Sequence, residues 1–178
     1  VHLTEERATL LGTLYGRALD ARSENPILRD AFAADLIPRI DYDFRKLGIG
    51  NDDAVGVAMR ARLLDRWTAA FIDRYPDATV LHLGCGLDSR GFRVDPPPSV
   101  RWFEVDYPDV IELRRRLYPT RAAHRLIGSS VTDERWLDEV AAGTSVMIVA
   151  EGLLMYLQEQ AVRDLADSRG QRNTRSFR

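Results

Sequence analysis

The chain has 178 residues, of which 45% are hydrophobic and 29% charged, proportions that suit one ordinary globular domain and exclude a disordered or fibrous chain. A formal charge of −2, with Lys46 the one lysine among 25 scattered basic residues, gives no electrostatic case for a nucleic-acid partner. A single cysteine, Cys85, excludes an intrachain disulfide or a paired-cysteine metal site. No cationic-then-apolar leader is present, and no run approaches the roughly 18 apolar residues of a membrane span. The expectation is a soluble, cytoplasmic protein with no metal, membrane or nucleic-acid partner.

The chain opens with a predicted helix over Thr4–Asp20, where Leu10, Leu11, Leu14, Ala18 and Leu19 recur at helical spacing behind a Thr4 N-cap. Asn25-Pro26 starts a second helix through Leu36, Pro38 interrupts it, and Ile40–Phe44 reads as an irregular crossing piece. After a Gly48–Asp53 loop, Ala54–Arg74 carries the strongest helical pattern, with Val57, Ala61, Leu64, Trp67, Ala70 and Phe71 as its core stripe and Tyr75-Pro76 as its stop.

The pattern then alternates. A strand at Thr79–Leu83 is followed by a helix or turn at Asp88–Arg93, a Pro96-Pro97-Pro98 break and a strand at Val100–Val105. A helix at Pro108–Leu117, a strand at Arg125–Gly128, a helix at Thr132–Ala142, a strand at Ser145–Ala150 and a helix at Gln158–Ala166 complete the series. Strands alternating with helices predict a parallel sheet in an α/β fold. Residues 167–178 offer Phe177 as their one large apolar side chain, so they are expected to be a disordered tail. Val146–Val149 then ends the sheet with an uncovered edge, which predicts self-association.

The chemistry concentrates where strands meet loops. Thr79–Leu83 stops at Gly84 and Gly86, glycines that can take positive φ and let backbone approach a ligand. Asp106 stands 22 residues beyond Gly84 at the end of the next apolar run, where a carboxylate can accept both hydroxyls of a ribose. A nicotinamide dinucleotide fingerprint wants a third glycine, and Ser89 occupies that place. The residues alone leave other readings open: the glycine pair as a tight strand-to-helix turn, Asp106 as a cap for the next helix, Arg60 as solvated surface. His82, in mid-strand, reads as structural, Cys85 as small filler, and Arg114-Arg115-Arg116 as a solvated helix face. Glu151 ends an apolar strand, where burial without a purpose would be costly.

Three ordered motifs, Leu83-Gly-Cys-Gly-Leu-Asp-Ser-Arg-Gly-Phe-Arg93, Phe103-Glu-Val-Asp-Tyr-Pro108 and Ala150-Glu-Gly-Leu-Leu-Met-Tyr-Leu157, resemble the leucine carboxyl methyltransferase family, nearest its bacterial polyketide-tailoring O-methyltransferase branch. Thr9–Asp20 and Arg60–Asp65 resemble it too, so the likeness covers about Leu3 to Leu165. It implies a Rossmann-like class I methyltransferase sheet, here with about four parallel strands and incomplete at its C-terminal side, behind an N-terminal helical extension. Residues 1–78 would form that extension on the lid and substrate side, and 79–166 the cofactor-binding core. The implied cofactor is S-adenosyl-L-methionine and the implied partner a small-molecule acceptor.

By the same resemblance, Gly84 and Gly86 border the cofactor, Asp106 holds its ribose, and Ser130 and Val131 reach its adenine. Arg60 pairs with its carboxylate, with Arg17 as a second partner, and Glu151 sits beside the reaction centre as the catalytic candidate. The implied activity is methylation of a carboxyl or hydroxyl oxygen on a secondary metabolite such as a polyketide. The alternative is an inactive shortened member that binds cofactor or another chain.

Overall fold

A computed structural model describes residues 5–140 and 145–165. The Thr4 cap and the 167–178 tail of the sequence reading therefore lie outside the described residues. The chain divides into two units, Val1–Ala70 with Leu87–Asp95, and Phe71–Gly86 with Pro96–Arg178.

The first unit is helical. Helix α1 spans Glu5–Ala21 and α2 Ala31–Leu36, and Leu11, Leu14, Ala18, Ala33 and Leu36 are fully buried there. The second helix is shorter than the sequence suggested, because the chain ahead of it is held as a turn. The buried Asp20 carboxylate accepts the amides of Ile27, Leu28 and Arg29 at 2.7, 2.9 and 3.2 Å. Those bonds give the amides partners other than a helix ladder. Helix α2 then starts at its Asp30 cap, whose carboxylate accepts Ala33 N–H at 3.0 Å. Single 3-10 turns follow at Ile37–Arg39 and Phe44–Leu47, and Gly48 ends the second in the left-handed region.

Helix α3 runs Asn51–Arg74, starting inside the predicted loop because Asp53 accepts Gly50 N–H and caps its entry. Its buried line is Ala54, Ala58, Ala61, Thr68 and Ile72, which shares only Ala61 with the expected stripe, and Trp67 is 56% exposed. Small residues let a neighbouring helix approach closely, and Trp67 lies about 100° round the axis from buried Thr68.

The second unit carries a four-stranded parallel sheet in the order β3-β2-β1-β4, formed by β1 Thr79–Leu83, β2 Arg101–Asp106, β3 His124–Gly128 and β4 Val146–Ala150. All of β1 is buried, as a central parallel strand covered on both faces should be. Helix α4, Arg90–Arg93, follows the glycine turn in the first unit, and α5, Pro108–Leu117, follows β2 with proline in its first turn. The expected helix at Thr132–Ala142 is a 3-10 segment over Glu134–Glu139. The Asp133 side chain caps it, and buried Trp136 donates to the Val131 carbonyl at 3.1 Å, so the segment is anchored locally. Residues 159–165 are helical, as expected. Leu81, Leu83, Phe103, Val105, Ile127, Val131, Trp136 and Leu137 form one core cluster on the sheet.

Candidate functional site

The register of the sheet assembles the site. Leu83 pairs with Val105 and with Ala150, and Asp106 pairs with Gly128. Gly84, Ser129-Ser130 and Glu151 therefore follow strands, and Asp106 ends one, all at the carboxyl ends of the sheet. Sequence order reverses between β1 and β4, and in open parallel sheets the crevice at the carboxyl ends beside such a switch point is where ligands bind.

Gly84 and Gly86 take φ of +59° and +48°, a conformation cheap only for glycine. A Cβ on Gly84 would lie 2.9 Å from Leu153 Cδ1, so the segment after β4 closes over the turn. The turn's amides point inward. Gly84 and Cys85 N–H both donate to the Val105 carbonyl, at 2.8 and 3.4 Å, and Gly86 N–H donates to Asp106 Oδ2 at 2.7 Å. The glycines therefore shape the turn and orient Asp106, whereas the sequence reading had them offering amides to a ligand.

Asp106 is partly buried and accepts one backbone amide on each oxygen, Gly86 on Oδ2 and Tyr107 on Oδ1, the latter at 2.8 Å. A carboxylate has about four acceptor positions, which leaves two for a pair of neighbouring hydroxyls. Burial pushes its pKa above the ordinary carboxylate value, while the two amides and the Arg114 charge pull the other way.

Beneath the turn lies a buried polar group that the sequence reading missed. Arg114, read from sequence as solvated, is 1% exposed, and its Nη2 lies 2.6 Å from Glu104 Oε1. Its Nη1 donates to the Gly86 carbonyl at 2.8 Å. His82 Nδ1 is 4.0 Å from the same Glu104 oxygen, and the His82 ring meets Trp102 edge-on, so His82 is structural. Burial works against the Arg114 charge, but Glu104, with Cys85 and Tyr118 adding to it, outweighs burial and raises the Arg114 pKa. The signal was present in the helix period: Val110, Ile111, Arg114 and Tyr118 form the buried stripe, and Arg115 and Arg116 fall off it.

At the end of β3, Ser129 N–H donates to the Asp106 carbonyl at 2.8 Å, tying this loop to the carboxylate's own residue. Ser130 Oγ is 2.8 Å from Thr132 Oγ1, and Val131 is buried. Glu151 is partly buried and precedes Gly152 in the left-handed region. The second unit thus brings Gly84, Gly86, Asp106, Ser130, Val131 and Glu151 to the carboxyl ends of the sheet.

Arg17 and Arg60 belong to the first unit. Arg60 is exposed on α3, whereas Arg17 is 4% exposed with Nη2 3.3 Å from Asp88 Oδ2. Asp88 is one member of a buried charge cluster. Asp65 accepts Arg90 Nε at 2.8 Å and Arg93 Nε at 2.7 Å, while Asp30 accepts Ser89 Oγ at 2.6 Å and Arg93 Nη1 at 2.7 Å. Arg93 Nη1 also lies 2.9 Å from Asp88 Oδ1. Burial alone would lower the Arg93 pKa, but Asp88, Asp65 and Asp30 together hold it well above the ordinary value. The second half of the Leu83–Arg93 motif is thus committed to this cluster. Among the described residues, no His, Cys, Asp and Glu side chains group as metal ligands.

Residues 10–169 match the family described as leucine carboxyl methyltransferase. The chain belongs to that family. Over 159 residues it is 54% identical to the tetracenomycin polyketide synthesis O-methyltransferase TcmP of Streptomyces glaucescens, covering 89% of this chain and 59% of that protein. It is 38% identical over 180 residues to the S-adenosyl-L-methionine-dependent methyltransferase dpfgK of Gibberella zeae, covering 93% of this chain and 60% of that one. A solved structure from Thermobifida fusca, described as a methyltransferase, superposes with a TM-score of 0.53 at 19% identity, over 88% of this chain and 60% of that one, and shows the fold. The chain therefore spans about three fifths of the length of the proteins it matches.

The site fits the nucleoside half of S-adenosylmethionine. Asp106 keeps two acceptor positions at a strand end, and in the turn beside it Gly84 leaves no room for a side chain against Leu153. Ser130 adds a hydroxyl next to the buried Val131.

Proposed function

We propose that this chain is the cofactor-binding part of an S-adenosylmethionine-dependent O-methyltransferase acting on a carboxyl or hydroxyl oxygen of a polyketide-like secondary metabolite. The observation that carries the reading is the Asp106 carboxylate, oriented by Gly86 and Tyr107 with acceptor positions to spare, at the end of the strand beside the glycine turn. Asp106 would hold the ribose hydroxyls, Gly84 and Gly86 would shape the wall beside them, and Ser130 and Val131 would flank the adenine. When bound, the cofactor supplies a methyl group already activated by its sulfonium. What the protein adds is alignment of the acceptor oxygen and exclusion of water.

A carboxylate acceptor, with a free pKa near 4, is ionised at neutral pH and needs no general base, whereas a phenol near 10 would want one. Glu151, at the end of β4, is the acid we assign beside the reaction centre. The roles of Arg60 and Arg17 at the cofactor carboxylate rest on the family resemblance, as does a cytoplasmic location. No described helix is long and apolar enough to cross a membrane.

The test is methyl transfer from radiolabelled S-adenosylmethionine to a panel of aromatic polyketide acids and phenols. Label appearing in an ester or ether supports the reading. Transfer to nitrogen alone, or to no oxygen in the panel, overturns it. A second reading, a cofactor-binding or interaction module, is favoured by β4, which pairs with β1 alone among the described residues and where Val146 and Ile148 are 40% and 38% exposed, since an edge strand can pair with another chain. It predicts self-association, and a strictly monomeric particle in sedimentation at micromolar concentration would remove it.

A further inference from the structure

We propose that Glu104 and Arg114 are positioning residues of the nucleoside site, fixing the Gly86 backbone so that it holds the Asp106 carboxylate in its binding orientation. The proposal rests on Asp106 being the ribose ligand. Gly86 is pinned from both sides of its Cα: its carbonyl accepts Arg114 Nη1 at 2.8 Å, and its N–H donates to Asp106 Oδ2 at 2.7 Å. The other arm of the same guanidinium lies 2.6 Å from Glu104 Oε1. Glu104 sits in β2 between His82 of β1 and Leu126 of β3, so its backbone is fixed by strands on both sides. The path from mid-strand β2 to the Asp106 carboxylate is thus Glu104, Arg114, Gly86, Asp106 Oδ2, through side chains that are 2% and 1% exposed at its first two steps.

The choice of residues argues for geometry over stability. Well-packed apolar residues often replace a buried ion pair with no loss of stability, so stability alone does not call for a charged pair here. An arginine can address two acceptors at once with a rigid planar fork, which the single ammonium of a lysine cannot reproduce. Arg114 uses that fork on a strand carboxylate and a loop carbonyl. Gly86, at φ +48°, lies in the turn most in need of such a hold. The Arg114 charge also favours the ionised form of Asp106, the form that accepts hydroxyls.

The test uses Arg114→Lys and the double variant Glu104→Leu/Arg114→Met in the full chain, with two readouts. Amide hydrogen exchange at Gly86, followed by NMR without any nucleoside, should speed up at least tenfold in both variants while the amides of β1 and β2 keep their protection. Calorimetric titration of S-adenosylhomocysteine should show at least a tenfold weaker Kd. Unchanged Gly86 exchange, or wild-type affinity in a folded double variant, overturns the proposal. If the double variant does not fold, Arg114→Lys carries both readouts. If Arg114→Lys also fails to fold with its charge kept, the pair is structural and the proposal falls. Should the wild-type chain itself bind no S-adenosylhomocysteine, the functional reading fails, and the exchange readout still decides whether the pair holds the turn.

Discussion

The two units each bury a network of charges, and the networks end differently. In the first, Arg17, Arg90 and Arg93 face Asp30, Asp65 and Asp88, and every carboxylate is spent on guanidinium, hydroxyl or amide donors of the same unit. In the second, Glu104 and Arg114 are sealed in, yet the chain of bonds runs on through Gly86 to Asp106, which is only partly buried and has acceptor positions left. A closed network is scaffold, and an open-ended one leaves acceptors for the nucleoside we propose. The contrast separates two halves of a single sequence motif: Gly84 and Gly86 shape the turn beside Asp106, while Asp88, Arg90 and Arg93 bind one another in the first unit.

The largest effect that would break this contrast belongs to the closed network. Asp65→Ala strands Arg90 and Arg93 without their shared carboxylate, and removing one partner of a buried ion pair costs about 3–5 kcal/mol. Urea denaturation should show that loss, and a variant within about 1 kcal/mol of wild type would mean that the cluster is better solvated than its burial implies. Next comes Gly84→Ala, which forces a side chain to φ +59° and against Leu153. A strained backbone residue of this kind costs about 1–3 kcal/mol, so the denaturation midpoint should fall, and an unchanged midpoint would show that the turn is free to rearrange.

Acidification probes the open end. Burial raises the Asp106 pKa above 3.8, so in the ligand-free protein the charged form is disfavoured relative to the unfolded chain. At neutral pH Asp106 therefore detracts from stability, and the penalty lifts as pH falls through its folded-state pKa. Nucleoside binding runs the opposite way, because protonation removes an acceptor. Affinity for S-adenosylhomocysteine should begin to fall above pH 3.8, approaching about tenfold per pH unit below the midpoint. Asp106→Asn should flatten that dependence, and an unchanged slope would place the titrating group elsewhere. The smallest effect is expected for Trp67→Gln, within about 0.5 kcal/mol of wild type because the ring is exposed. A loss near that of a core aromatic would restore the original reading of α3.

Much of the second unit was legible in the sequence because parallel strands are short apolar runs bounded by glycine, proline and acids. Thr79–Leu83 was placed to the residue, and β2, β3 and β4 to within one. The first unit was harder. The buried line of α3 is mostly alanine and threonine, residues with weak hydrophobic signal, while the larger members of the expected stripe, Val57, Leu64, Trp67 and Phe71, are only partly buried or exposed. The predicted helix start at Asn25 was displaced by three hydrogen bonds that the Asp20 side chain accepts from amides seven to nine residues downstream, which no helical pattern announces. Asp106 was singled out because it ends a strand at a characteristic distance from a glycine turn, and it does end β2 beside that turn. Glu104 and Arg114 were missed because a charge inside an apolar run shows its purpose only once its partner is placed beside it.

The most direct test of the central claim is calorimetric titration of S-adenosylhomocysteine into this chain and into its Asp106→Ala variant. The account predicts micromolar binding by the wild type, weakened more than about a hundredfold in the variant, since two hydrogen bonds to a charged acceptor contribute about 1.5–3 kcal/mol each. Folded wild-type protein that does not bind, or a variant that binds equally well, would contradict it.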